Sequence, residues 1–289
     1  MSGFTTFTVE NRDGIAIATF SRPEKMNTFN AVMMEELIAL FDQTDADDSV
    51  RSVIITGSGK AFCAGADLGP GGGTFDPARR DMSREIVVNG IRRDGGGRVS
   101  LRIFKSLKPV IAAVNGAAVG VGATMQLPMD FRLASTEARY GFVFNRRGIA
   151  PEAASSFFLP KLVGVSQALE WMYSGRVFGA EEALKAGLVR SIHKPEELLP
   201  AAIEFAHTLT DKSAPVSIAV TRQMVWNMLG ASHPMQAHQA DSRAINLRGA
   251  AADVQEGIAS FKDKRDPKFV NSVANEMPDL GIGPEPEFK

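Results

Sequence analysis

One acid stands in an otherwise small and apolar stretch, GIAPEAASS over residues 148–156: Glu152, directly after Pro151. A carboxylate in such company is either a base kept from water or an acid at the first turn of a helix, where the helix dipole favours it. Two further stretches offer main-chain chemistry. Ala61-Phe62-Cys63-Ala64-Gly65-Ala66-Asp67 follows a strand pattern. So does Asn115-Gly116-Ala117-Ala118-Val119-Gly120-Val121-Gly122, which then enters a helix. Small residues let a ligand approach the backbone, and free N–H groups at two such turns can converge on one oxygen as it gains charge. Alternatively, both are simply tight strand-to-helix turns. Residues 120–122 are neither a dinucleotide fingerprint nor a phosphate loop, since the further glycines and the Lys-Ser/Thr are missing. His193, His207, His233 and His238 lack metal-like partners. Cys63 has no matched histidine to make it a nucleophile, and Ser155 and Ser156 lack a nucleophile-elbow context.

Placing these groups requires strands and helices in alternation. FTVENRDGIAIATF reads as two strands around Arg12-Asp13-Gly14, and FNAVMMEELIALFDQ as a helix. SVIITG, KPVIAAVNG and FRLAS read as buried strands, VSLRIFKSL as a helix, and GVG as the opening of another helix. Residues 68–97, with GPGGG near one end and DGGG at the other, read as a mobile insertion. From about Glu152 the pattern turns helical: SSFFLPKLVG, SQALEWMYSG, AEEALKAGL, PEELLPAAIEFAHTLTD, PVSIAVTRQMVWNML and ADVQEGIASFKDKR. The Pro- and Gly-rich tail after Pro267 is expected to fray or drape over the surface. An α/β core over 1–205 and a helical region over 206–289 follow from this division.

The chain has 289 residues, 44% of them hydrophobic, enough for a full core. Its 32 basic and 33 acidic residues nearly cancel, which argues against a nucleic-acid or membrane-surface binder. A single cysteine forms no internal disulfide and suits a reducing compartment. MSGFTTFTVENRDG lacks the basic-then-apolar order of a signal peptide, and the Gly-broken PVIAAVNGAAVGVGA is too short to span a bilayer. A soluble, cytoplasmic protein is expected.

FSRPEKMNTF, KAFCAGADL, KPVIAAVNGAAVGVGA, the YGF…GIAPE segment, YSGRVFGAEEALKAGLV and EGIASFKDKRDPKF together resemble the crotonase (enoyl-CoA hydratase/isomerase) superfamily, in its order and approximate spacing. The resemblance runs from about Phe20 to Phe269. It implies a repeated ββα spiral followed by a helical trimerisation region, a homotrimer or dimer of trimers, and an acyl-CoA thioester as substrate. No cofactor is implied beyond the coenzyme A that the substrate carries, and no metal. By motif position the thioester oxygen would sit between the N–H groups of Ala66 and Val121, in an oxyanion hole that includes Gly120. Backbone of the turn through Cys63, Ala64 and Asp67 would meet the pantetheine and adenine. Lys25, and Phe261 and Lys264 of a neighbouring subunit, would reach the nucleotide; read from the residues alone, Lys264 better suits a solvated helix end. Asp67 could face the acyl pocket or cap the next turn.

Two-glutamate hydratases of this superfamily carry acids where this chain has Thr124 and Phe144. Neither residue can activate water or protonate C2. PEAASS instead resembles the segment of single-glutamate enoyl-CoA isomerases, with Ala153 where glycine often stands. Glu152 would then take a proton from C2 of a 3-enoyl-CoA and return it at C4. A wall of Phe142, Phe144 and Ile149 would keep water away and raise its proton affinity. Hydration with an unusual acid/base set, thioester or C–C bond hydrolysis, and a non-catalytic CoA-ester-binding paralogue remain alternatives on the same scaffold.

Overall fold

Phe7–Arg12 (β1) and Ile15–Phe20 (β2) pair antiparallel, Phe7 opposite Phe20. Their turn residues Asp13 and Gly14 both have positive φ, 49° and 82°, the backbone that a two-residue hairpin needs. The computed structural model describes residues 3–69 and 86–289. Ala31–Ala46 (α1) follows, started by Asn30, whose side chain accepts the Met33 N–H at 2.9 Å.

Thereafter the chain winds through three similar steps. Ser52–Gly57 (β3), Ala61–Cys63 (β4) and, beyond a small hairpin of Val87–Val88 (β5) and Ile91–Arg92 (β6), Gly95–Phe104 (α2) form the first. Val110–Val114 (β7), Ala117–Val119 (β8) and Val121–Thr124 (α3) form the second. Phe131–Ser135 (β9), Arg139–Gly141 (β10) and Ser155–Val163 (α4) form the third. After Val165–Ser174 (α5) come Val177–Gly179 (β11), Ala180–Lys185 (α6) and Ser191–His193 (β12). Each step gives one strand to a six-stranded sheet, β1-β2-β3-β7-β9-β12, parallel from β2 onward, and one to a four-stranded sheet, β11-β10-β8-β4. This is the expected ββα spiral.

The large sheet is buried on both faces, as parallel sheets generally are. Ala16, Ala18 and Phe20 point into the main core, while Ile15 and Ile17 point to the other side. There Pro195–Thr210 (α7) covers them with Leu198, Ala202 and Ala206. The boundary between residues 205 and 206 therefore falls inside a helix that packs on the sheet.

Pro215–Met228 (α8), Pro234–Arg248 (α9) and Ala252–Asp263 (α10) complete the helical region. Arg222 of α8 is buried. Its guanidinium donates to Asp130 at 2.9 Å and to the carbonyls of Ile103, Phe104 and Ser106, the bond to Ser106 being 2.6 Å. A cation thus satisfies the end of α2 and fixes that helix. Phe104, Phe158 and Trp226 stack edge-on or tilted at 5.7–6.2 Å and join α2, α4 and α8.

Two expectations change and a third is sharpened. DGGG is the start of α2, so the helix begins at Gly95 rather than near Val99, and residues 86–97 are structured; residues 70–85 of the expected mobile insertion lie outside the described residues. Helix α9 was not anticipated; only Ala240 and Ala244 of it are buried, so no apolar stripe announces it. The tail is draped and anchored: Val273 and Leu280 are buried against α8 and α9. No helix among the described residues is long and apolar enough to cross a membrane.

Candidate active site

Strands β4 and β8 run parallel and side by side, so the turns that follow them leave the same edge of the small sheet. The turns touch main chain to main chain. A Cβ at Gly122 would lie 1.9 Å from the Cys63 carbonyl oxygen, and one at Gly65, where φ is +113°, 3.2 Å from the Val119 oxygen. Only glycine permits that approach. Around these turns most amides are used: Phe29 N–H donates to Gly65, Asp67 N–H to Phe29, and Gly120 N–H to Gly141, at 2.7–2.8 Å. The N–H groups of Ala66 and Val121 have no hydrogen-bond partner among the described residues. They are the two donors expected from motif position, and Val121 opens α3, where the helix dipole adds positive character.

Glu152 comes to the same region from the third step. Its Oε1 accepts the Thr124 hydroxyl at 2.5 Å, and the Gly120 carbonyl lies 3.3 Å from that hydroxyl oxygen. Thr124, where the resemblance would lead one to expect a hydratase glutamate, instead holds Glu152 through its hydroxyl. On another side, a Cβ at Gly96 would lie 1.9 Å from Glu152 Oε2, so the carboxyl rests on the bare backbone of the first turn of α2. The residue as a whole is half-buried. The carboxyl itself is enclosed, and burial pushes its pKa up to about 8, with the nearby negative charge of Asp94 adding to the rise and the Thr124 bond opposing it.

The backbone just after Glu152 is unusual. Ala153 and Ala154 both sit in the left-handed region, φ 58° and 54°, at a cost of about 1 kcal/mol or more each. Ala153 N–H donates to Asp94 Oδ2 at 2.8 Å. Glu152 therefore precedes the helix instead of capping it: α4 starts at Ser155, and its cap position is Ala154 with no side-chain bond.

Several expected residues move. Phe142 is buried and stacks on Trp171 and Phe178, at 6.0 and 6.3 Å, in the core. Phe144 is buried, and its carbonyl accepts the N–H groups of Arg147 and Ile149, which closes the loop before Glu152. The residues shown around the carboxyl are Asp94, Gly96, Thr124 and Ala153, with Cys63 close enough to feel its charge. Cys63 offers a ligand no side chain: its thiol is buried in the core and pushed up to about 12 by burial. Ala64 N–H is already spent on Met26 at 3.1 Å. Asp67 caps its own turn, accepting Gly69 N–H at 3.2 Å, and pairs with Arg22 at 2.9 Å. Arg22 also donates to the Thr28 carbonyl at 2.6 Å, tying the RPEK loop to the first turn; sequence reasoning passed over it. Lys25 is exposed on that loop. Phe261, 85% exposed, and Lys264 lie at the C-terminal end of α10. Among the described residues no group of His, Cys, Asp and Glu could hold a metal ion.

A ββα-spiral protein whose sheets end in paired main-chain turns beside one enclosed carboxyl is the class that fold and site define. A family model described as enoyl-CoA hydratase/isomerase matches residues 10–272. An enoyl-CoA hydratase of Alternaria alternata is 37% identical over 262 residues, 90% of this chain and 84% of its own. The 1,2-epoxyphenylacetyl-CoA isomerase of Escherichia coli K12 is 31% identical over 261 residues, 89% of this chain and 95% of its own. Among solved structures, a probable enoyl-CoA hydratase/isomerase from Mycobacterium abscessus superposes with a TM-score of 0.80 at 32% identity, covering 91% of this chain and 98% of that one. The chain belongs to the enoyl-CoA hydratase/isomerase family, within the crotonase superfamily.

Proposed function

We propose that this enzyme moves the double bond of a 3-enoyl-CoA into conjugation, giving the 2-enoyl-CoA, with Glu152 as its one proton carrier. The observation that carries this reading is the enclosed Glu152 carboxyl beside the two unpartnered N–H groups. Ionised Glu152 takes the proton from C2, and the electron pair moves onto the thioester oxygen. The N–H groups of Ala66 and Val121 stabilise that charge, an effect commonly of about 3–4 kcal/mol per donor. The resulting carboxyl then returns the proton at C4 as the oxygen's pair moves back, so C2=C3 forms and C3=C4 is lost. Atoms and charge balance with no cofactor beyond the coenzyme A of the substrate. Because the base form is needed, kcat/KM should rise with pH through a limb near the Glu152 value of about 8. A homotrimeric, cytoplasmic enzyme fits this reading.

A second reading is hydration of a 2-enoyl-CoA. It is favoured by the Asp94 carboxylate beside Glu152, since a pair of carboxyls can supply both a base for water and an acid for C2. Several relatives are also named hydratases. Parallel assays of conjugation and hydration, each beside Glu152→Gln, separate the two. Isomerisation predicts conjugation that falls about 10²–10⁴-fold in the variant, with negligible hydration. Brisk hydration, or conjugation that survives the substitution, overturns it.

A further inference from the structure

We propose that Asp94 is the positioning residue of Glu152: it locks the strained turn after Glu152 onto the first turn of α2 and sets the charge that the Glu152 carboxyl faces. The proposal rests on the reading of Glu152 as the working base. Asp94 does two ordinary things. Its Oδ1 accepts Gly96 N–H at 3.2 Å and its Oδ2 accepts Gly97 N–H at 2.6 Å, which caps α2. Its third bond, from Ala153 N–H at 2.8 Å, is no part of a cap, because the two residues are 59 positions apart. That bond seizes the first of two consecutive left-handed alanines, the link that aims Glu152. Strain of this kind persists only where the surroundings over-determine it.

Gly96 makes the arrangement possible. Without a side chain there, the Glu152 carboxyl settles against α2 within reach of Asp94. Among the described residues, the groups that face or feel that carboxyl are Asp94 from the start of α2, the Thr124 hydroxyl from α3 and, at longer range, the Cys63 thiol of β4. None of them is a cation. A negative charge at Asp94 favours the neutral form of the Glu152 carboxyl. Three backbone N–H groups converge on Asp94 and one hydroxyl on Glu152, so Asp94 is the more firmly fixed of the two. A base that must release its proton at a second carbon benefits from a neighbour that keeps its carboxyl pivoting about one fixed point.

The test uses Asp94→Asn and Asp94→Ala in the full chain. Glu152 is followed directly by ¹³C NMR of its side-chain carboxyl, assigned by the signal lost in Glu152→Gln, and kcat and KM are measured against pH. Asparagine keeps a cap and removes the charge. The Glu152 titration and the acid limb of kcat/KM should then both move down by about 1 pH unit. Alanine also removes the tether, and kcat should fall about tenfold or more at every pH with KM little changed. An unmoved Glu152 titration in both variants, with kcat within about twofold of the parent, overturns the proposal and leaves Asp94 as a helix cap. A wild-type chain without conjugating activity whose Glu152 titration still shifts in Asp94→Asn would sink the base reading while upholding the positioning role.

Discussion

Glu152 carries its proton well above the ordinary glutamate range, at about 8 against 4.5. The same shift enters the stability of the fold. Below about pH 4.5 folded and unfolded chains both hold the proton, and the full stabilisation is present. Between about 4.5 and about 8 only the folded chain keeps it, so this contribution shrinks as pH rises, and it is gone above the upper value. Glu152→Gln is neutral throughout, and its amide can donate to Asp94. The variant should match the parent in thermal stability near about pH 5 and exceed it near about pH 9, by on the order of a few kcal/mol. Parallel melting curves at both pH values would show the carboxyl to be unburied in solution. Most of this was legible: GIAPEAASS marked Glu152 as an acid among apolar residues. Its neighbours were not, because Asp94 and Gly96 belong to another turn of the spiral and DGGG reads locally as a flexible loop.

Helix α2 shows how tertiary contact overrides propensity. Three glycines make a poor helix start, yet Asp94 supplies the cap, Arg222 satisfies the far end and Glu152 fills the space a side chain would take. Gly96→Ala therefore separates folding from function. Alanine favours the helix by about 0.5–1 kcal/mol, and the atom it strikes is the end of a side chain that can swing away. The melting temperature should hold or rise while kcat drops about 10²-fold, because the carboxyl is displaced. Gly122→Ala strikes a carbonyl of the main chain instead, forces the two turns apart and should cost about 2–3 kcal/mol of stability as well. Thermal melts beside kcat measurements distinguish the two. Strands β3, β7 and β9 declared themselves as apolar runs, and helices α1, α7 and α8 by helical patterning. The strands of the second sheet did not, since three residues, as in β4, β8 and β10, are too few to establish an alternation.

Across the whole chain, the helical region exposes apolar side chains that a monomer gains nothing from showing to water. Ile245 and Phe261 are 75% and 85% exposed, and Leu247, Ile258 and Val270 lie open near them in sequence. Such surfaces mark protein contacts, in keeping with the proposed trimer. Ile245→Glu with Phe261→Glu should convert an assembly of several chains into single chains, read by light scattering; an assembly mass unchanged by the double substitution would place the contact elsewhere. The main-chain turns after β4 and β8 are subject to a different kind of constraint. Their unpartnered donors, at Ala66 and Val121, belong to the backbone, so no codon specifies them and only a proline can erase either one. Glu152 is the opposite, a function that a single substitution removes or replaces. On the proposed reading, a gene for this protein could change what it does with a proton in one codon, while the proposed grip on an oxygen is carried by the backbone of the fold.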